Sequence, residues 1–309
     1  MRAEVLTLNR SKERPLDIGT QILQFVISGI MIGSIYAIIS IGFNIVYNAT
    51  DAINFAQGEF VMLGGMTTIA LFHGAKLPLW ASFFLSVGIV TLVAMILERM
   101  TLHYQRERQV VNLIILTIGW SIFLKGSAML SWGKDSFDLP SFSGSEPIQF
   151  WKATLLPQAL WIIGVGVLIS GGLHLFFKYS LIGRAMKACS FDRISARLVG
   201  IDDDWIVLFS FALAAAIGSI AGIIITPITF MAYDYGGMLG LKGFCATFLG
   251  GLGNLYGSIV GGILLGILES LGAGLISSGY KDAIAFMIFL LILFFKPSGL
   301  LGKETKERV

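Results

Sequence analysis

Charge is scarce in this chain: 13% of its residues are Asp, Glu, Lys or Arg, about half the share of a soluble domain. A chain of 309 residues so poor in charge cannot cover itself with a water-soluble surface. Histidine is scarcer still. His73, His103 and His174 are scattered without metal-ligand spacing, so no metal site is assigned. The two cysteines, Cys189 and Cys245, sit in different segments and imply neither a disulfide framework nor a metal cluster. No GxxxxGK[ST] phosphate loop is present. WGKD at 132–135 and LGKE at 301–304 lack its glycine spacing and its Ser/Thr. No nucleophile–base constellation appears either. The chain is therefore not expected to be an enzyme or to carry a cofactor. Its net charge of +3 lies in loops and gives no nucleic-acid footprint.

What is abundant is apolar sequence, at 55% of residues with a mean hydropathy of +0.81. Charge-free runs cover 18–50, 79–97, 160–177, 205–233 and 243–268. Each approaches or exceeds the ~18 residues that cross hydrocarbon as a helix. An alternating ten-residue pattern is absent, which argues against a β-barrel. The expected fold is an all-α polytopic integral membrane protein of about eight transmembrane segments. The first 17 residues are too long and too mixed in charge for a signal peptide. The expected organisation is a tail (1–17), one transmembrane domain (18–296) and a second tail (297–309).

The longest charge-rich stretch between apolar runs is 179–204. It carries Arg184, Lys187, Arg193 and Arg197 and ends on Asp202, Asp203 and Asp204. Its apolar residues recur at roughly helical spacing, as in an amphipathic helix held outside the membrane. An interfacial helix lying on headgroups would look the same.

Residues 42–65 are unusually polar for a membrane segment, with Asn44, Asn48, Asp51, Asn54, Gln57 and Glu59. Lys and Arg cluster in 1–17, around 99–108, in 178–197 and after 296, and such clusters favour the cytoplasm. That puts both termini and both basic loops on one side. Parity then makes 42–72 a re-entrant hairpin, broken where protein or a water-filled cavity surrounds it. The same arithmetic at 205–296 gives a second broken hairpin at 241–276. Helix, hairpin and helix repeat in the same orientation, a transporter-like internal repeat.

Four motifs carry a resemblance. INFAQGEF (53–60), GRAMKACSFDRISARLVGID (183–202), GLKGFCATFLGGLGNLYGSIVGGILLGILE (240–269) and FFKPSGLLGK (294–303) occur in that order. Together they resemble the LivH/LivM-type permeases of branched-chain amino acid ATP-binding-cassette (ABC) importers, on the LivH-like side. Gln57 stands where the family commonly has His. The resemblance implies a permease subunit in a bacterial inner membrane, working by alternating access. Its partners would be a homologous permease, two cytoplasmic ATPases and an extracytoplasmic substrate-binding protein. It also implies that 179–204 is the coupling helix docking on an ATPase.

On that view Arg184, Lys187, Asp192 and Arg193 contact the ATPase, with Ala188, Ala196 and Leu198 as apolar anchors. Gly200 lets the chain leave the helix. Asn54, Gln57, Gly58 and Glu59 either line the translocation path or satisfy backbone groups freed by the break. Gly250, Gly251, Gly253, Gly257, Gly261, Gly262 and Gly266 read as helix-packing glycines, and Glu269 as a structural hydrogen-bonding group. Two other functions fit parts of the pattern. One is an autonomous channel or secondary carrier, since Asn54-Phe55-Ala56 is similar to the Asn-Pro-Ala hairpins of water channels. The other is an ABC permease for urea or short amides.

Overall fold

The computed structural model describes residues 18–101, 110–144, 146–150 and 153–302. The tail over 1–17 and most of 297–309 lie outside the described residues. Long helices dominate: α1 (Ile18–Thr50), α2 (Gln57–Ile69), α3 (Leu79–Thr101), α4 (Val110–Trp132) and α5 (Pro157–Tyr179). They continue with α6 (Leu181–Phe191), α7 (Arg193–Leu198), α8 (Asp203–Thr229), α9 (Tyr235–Gly250), α10 (Leu255–Leu275) and α11 (Lys281–Phe295). A π-helical turn, Ala70–Gly74, extends α2. Among the described residues, seven segments are long and apolar enough to span a membrane: α1, α3, α4, α5, α8, α10, and α11 with the turn before it.

Burial separates the centre from the lipid-facing rim. The second half of α1 and most of α8 are buried, while α3, α4, α5 and α11 turn Phe84, Ile122, Leu168 and Leu290 outward. Outward apolar faces of this kind fit hydrocarbon, in which burial between helices is driven by close packing. The tightest seam joins α1 to α10. Gly29 and Gly33 lie against the backbone of Gly262, Ile263, Gly266 and Ile267, so neither helix has room for a Cβ there. Across the centre, Gly222 of α8 meets the backbone of Val61 in α2.

The first polar segment departs from the expected hairpin. α1 runs unbroken for 33 residues, about 50 Å of helix, and completes its crossing at Thr50. Asn44 and Asn48 therefore belong to a span. The Asn44 amide donates to Ser258 Oγ (2.6 Å) and its carbonyl accepts from the Gly253 amide (2.7 Å). Asn48 donates to the Gly253 carbonyl (3.2 Å). Across the seam these pairs satisfy the polar groups that made 42–50 look like a break.

α1 ends beside the 179–204 loop, where the Arg193 guanidinium donates to the Ala49 carbonyl. Its other end lies beside the 133–156 loop, where Gln24 bonds both backbone groups of Thr154 (2.8 Å each). That loop contains two short antiparallel strands (Ile148–Phe150, Ala153–Leu155). The two faces are called here the coupling face (179–204) and the opposite face (133–156). Residues 51–74 cross once between them, since His73 reaches the Asp138 carbonyl on the opposite face (3.4 Å).

Three crossings by residue 101, instead of two, change the symmetry. Each half contains a long span, a break and a short helix starting inside: α1, 51–56 and α2, then α8, 230–234 and α9. Each break opens on a non-glycine residue with positive φ, Asp51 (54°) and Phe230 (57°). Such conformations cost about 1–3 kcal/mol. α1 ends at the coupling face, whereas α8 ends near Met231, which pairs with Phe137 on the opposite face. The halves therefore run in opposite directions, correcting the expected same-direction repeat. The described ends also separate. Ile18 lies at the opposite face, while Leu300 and Leu301 bond Leu249 and Gly250 near the coupling face. The expectation that both termini share a side falls on 1–17 and 303–309, outside the described residues. Over 241–276 the chain completes the half-crossing of α9 to the coupling face and then crosses once as α10.

Candidate functional site

The two short helices meet amino end to amino end. Gly58, at the start of α2, lies against the backbone of Gly236 and Gly240, near the start of α9. Gly58 thus serves as the contact point between the half-helices. The meeting is near mid-depth: Gln57 Nε2 donates to the Ala214 carbonyl (3.0 Å), central in α8, and Ser121, central in α4, donates to Glu59 Oε1 (3.0 Å). The first turns of the two helices thus lie side by side, each with N–H groups that have no partner within its own helix.

The side chains around that point are buried, and their hydrogen bonding is incomplete. Asn54 Oδ1 accepts from the Ala56 amide (3.1 Å), satisfying backbone freed by the break, as one of the two sequence readings required. Yet Asn54 Nδ2, Gln57 Oε1 and Glu59 Oε2 have no protein partner. Buried polar atoms without partners are expensive, and at membrane depth they mark functional candidates. Beside them lies a cavity of about 250 Å³. Phe43, Phe55, Phe244, Ser121 and Gly240 line it. The sequence reasoning did not find Ser121, Gly236 or Gly240. The second half-helix shares no motif with the first and is visible only through the contact.

A second buried cluster flanks the first. Glu269 Oε1 accepts from Lys242 Nζ (2.9 Å) and the Tyr36 hydroxyl (3.1 Å) and pairs with Lys281 (3.3 Å). Lys242 also pairs with Asp282 (2.6 Å). Glu269 thus makes the structural hydrogen bonds expected of it, in an ion network joining α1, α9, α10 and α11. Lys242 was the missed signal, a lone cation inside an apolar glycine-rich run.

At the coupling face, α6 and α7 pack inward through Gly183, Met186, Cys189 and Ala196. Gly183 touches the backbone of Phe176 and Phe177, which seats α6 on the end of α5. Several expected contact residues are engaged within the subunit itself. Asp192 caps α7, accepting from the Ser195 hydroxyl (2.6 Å) and from the Ile194 (2.9 Å) and Ser195 (3.2 Å) amides. Those bonds, led by the Ser195 hydroxyl, hold its carboxyl below the usual carboxylate range. Arg193 ties the loop to α1 through Ala49 and Asp51 (3.3 Å). Ala196 is buried, so it is no outward anchor. Lys187 lies over the Phe177 ring, and Ala188 is half-buried.

Arg184 and Leu198 do face outward, and Gly200 ends α7 with φ +89°. The exposed apolar face consists of Phe191, Ile194, Leu198 and Val199, each more than 70% accessible. Leu198 alone of these was expected as an anchor, although Ile194 and Val199 are among the apolar residues at helical spacing, because period alone does not say which side of a short helix is covered.

Among the block glycines, Gly250, Gly257 and Gly261 pack α9 on α10, and Gly262 and Gly266 pack α10 on α1. Gly251 and Gly253 differ. Both have positive φ (108° and 79°) and shape the α9–α10 turn instead of a helix crossing.

The family described as "Branched-chain amino acid transport system / permease component" matches residues 25–293. The chain belongs to that permease family. It is 32% identical over 302 residues to the high-affinity branched-chain amino acid permease protein LivH of Escherichia coli (strain K12), covering 93% of this chain and 97% of that one. It is 33% identical to the corresponding protein BraD of Pseudomonas aeruginosa, covering 93% and 98%. A probable LivH protein of Methanocaldococcus jannaschii is 26% identical over 298 residues, covering 90% and 92%. The permease family and the helical, multi-pass membrane character expected from the sequence therefore hold.

Proposed function

We propose that this chain is the permease subunit of an ABC importer for branched-chain amino acids. The observation that carries the proposal is the family match across residues 25–293. The subunit pairs with a homologous permease, receives substrate from an extracytoplasmic binding protein, and draws its free energy from two cytoplasmic ATPases. The coupling face is cytoplasmic. Arg99, Lys178, Arg184, Lys187, Arg193, Arg197 and Lys296 gather there, against Lys76, Lys134 and Lys281 at the opposite face.

The translocation path passes the meeting point of α2 and α9. Discontinuous helices at the midplane are where transporters bring substrate against backbone ends. Here the free N–H groups of the two amino-terminal turns suit a carboxylate. The unpartnered Asn54 Nδ2, a donor, suits the carboxylate as well, and the unpartnered Gln57 and Glu59 oxygens suit the ammonium of a zwitterion. The phenylalanine-lined cavity suits a branched apolar side chain. Phe191, Ile194, Leu198 and Val199 seat in the ATPase, with Arg184 at the rim. ATPase closure pulls on α6 and α7, and Arg193 passes that pull to α1 and the break at Asp51.

The test is a pull-down of the tagged chain from its native membrane, beside a Phe191→Asp/Leu198→Asp variant, with leucine uptake measured in vesicles. The expected result is an ATPase that co-purifies, is lost in the variant, and is needed for uptake. A chain that purifies alone and still moves leucine overturns the proposal.

A further inference from the structure

A crevice of about 880 Å³ opens on the side of the molecule formed by α1, α5, α6 and α10. It lies away from the α2–α9 meeting point, and none of its lining residues belongs to the cavity beside Glu59. Its polarity is graded along the membrane normal. The deep walls are Ile41 and Ile45 of α1, Leu173 of α5 and Ile259 of α10. The mouth, at the coupling face, carries Lys178 and Lys187. No acidic side chain is among the described residues that line it.

The level of the mouth is marked by neighbours. Tyr179 and Trp205, at the ends of α5 and α8 on this face, are largely and about half exposed respectively, as aromatic residues are at a headgroup boundary. Lys178 therefore sits at headgroup height, with apolar walls descending from it into hydrocarbon. On one side His174 Nδ1 shares a hydrogen bond with the Tyr256 hydroxyl, joining α5 to α10. The wall from Ile41 to Ala49 is about 12 Å of helix, matching the upper part of an acyl chain.

We propose that this crevice binds one anionic phospholipid of the coupling-face leaflet, with its phosphate on Lys178 and Lys187 and an acyl chain between α1, α5 and α10. Basic pockets between helices next to apolar walls recognise such headgroups. Lys187, Ser190 and Phe191 belong to α6, so the lipid also braces the coupling helix against α5 and α10.

Native mass spectrometry of the purified full chain, with whatever subunits accompany it, tests this directly. Phosphatidylglycerol and phosphatidylcholine of matched acyl chains are added in turn. One tightly held phosphatidylglycerol is expected, preferred over phosphatidylcholine. Lys178→Gln/Lys187→Gln should reduce the preference roughly 25-fold, at about fivefold for each lysine near a headgroup. Lys76→Gln/Lys134→Gln, which removes equal charge from the opposite face, should leave it unchanged. Ser170→Trp, which fills the crevice, should remove the bound lipid while thermal unfolding shows a folded chain.

Equal retention of both lipids overturns the proposal, as does a preference that survives the Lys178/Lys187 change. Displacement of the lipid by free glycerol phosphate at equal concentration would show a site for the phosphate alone, and also overturns it.

Discussion

Replacing Lys242 with methionine removes a cation from a cluster that has little access to water. Lys242 is 6% exposed and Glu269 is fully buried. Removing one partner of a buried ion pair costs about 3–5 kcal/mol, because the other charge stays behind uncompensated. Here the remaining charge is not abandoned. Glu269 keeps Lys281 at 3.3 Å and the Tyr36 hydroxyl at 3.1 Å. The expected loss is therefore at the low end, about 3 kcal/mol. Glu269→Gln should cost less, about 2 kcal/mol, the value of a hydrogen bond to a charged group. Lys242 then keeps Asp282 at 2.6 Å.

The double variant Lys242→Met/Glu269→Leu separates pairing from packing. A buried pair replaced by apolar residues is often nearly neutral, so the double should recover to within about 1–2 kcal/mol of wild type. In detergent, followed by tryptophan fluorescence, Lys242→Met should lower Tm by roughly 6–12 °C, at about 2–4 °C per kcal/mol. The reasoning is refuted if Lys242→Met melts with wild type, or if the double variant is less stable than Lys242→Met alone.

Gly266→Leu should prevent assembly of the α1–α10 seam and abolish membrane accumulation on immunoblots, whereas Gly164→Leu, facing open space, should accumulate normally. Glu59→Gln should leave assembly intact and reduce leucine uptake about tenfold, equivalent to the loss of one charge-assisted hydrogen bond. Arg193→Ala should free the α6–α7 loop from α1 and raise its sensitivity to limited proteolysis on the coupling face. The Asp192 cap predicts a pH window. Its folded-state pKa lies below the unfolded value of about 3.9, so its contribution is complete above that value and fades as pH falls through the folded one. Protection of the loop from protease should thus be flat from pH 8 to about 5 and weaken only below about 4.

Much of this molecule was legible in its sequence because hydropathy and charge are local. The spans at 79–101, 110–132, 157–179 and 203–229 follow from runs of apolar residues whose backbone must bond internally in lipid. The coupling loop was visible as charge between two such runs, and the family in four short motifs. The first break was located to within a few residues because its polar groups sit together in the chain. What failed was the direction of the path. Asn44 and Asn48 looked like the start of a hairpin because their partners, Gly253 and Ser258, lie far off in sequence.

Only the tertiary structure decided the rest, for one physical reason: these features are contacts between chemically matched but sequentially distant groups. The opposed halves follow from α1 completing its crossing, a matter of one extra helical stretch that composition cannot report. The meeting of Gly58 with Gly236 and Gly240 depends on two backbones approaching where no side chain intervenes. Arg193 and Ala196 were drawn inward by what α6 and α7 pack against, and the exposed Asp192 was taken up as a cap, while their period was the same either way. Hydropathy thus determined that the chain crosses the membrane and where. Close packing between distant segments determined which way each half runs and which polar groups are left together, without partners, at its centre.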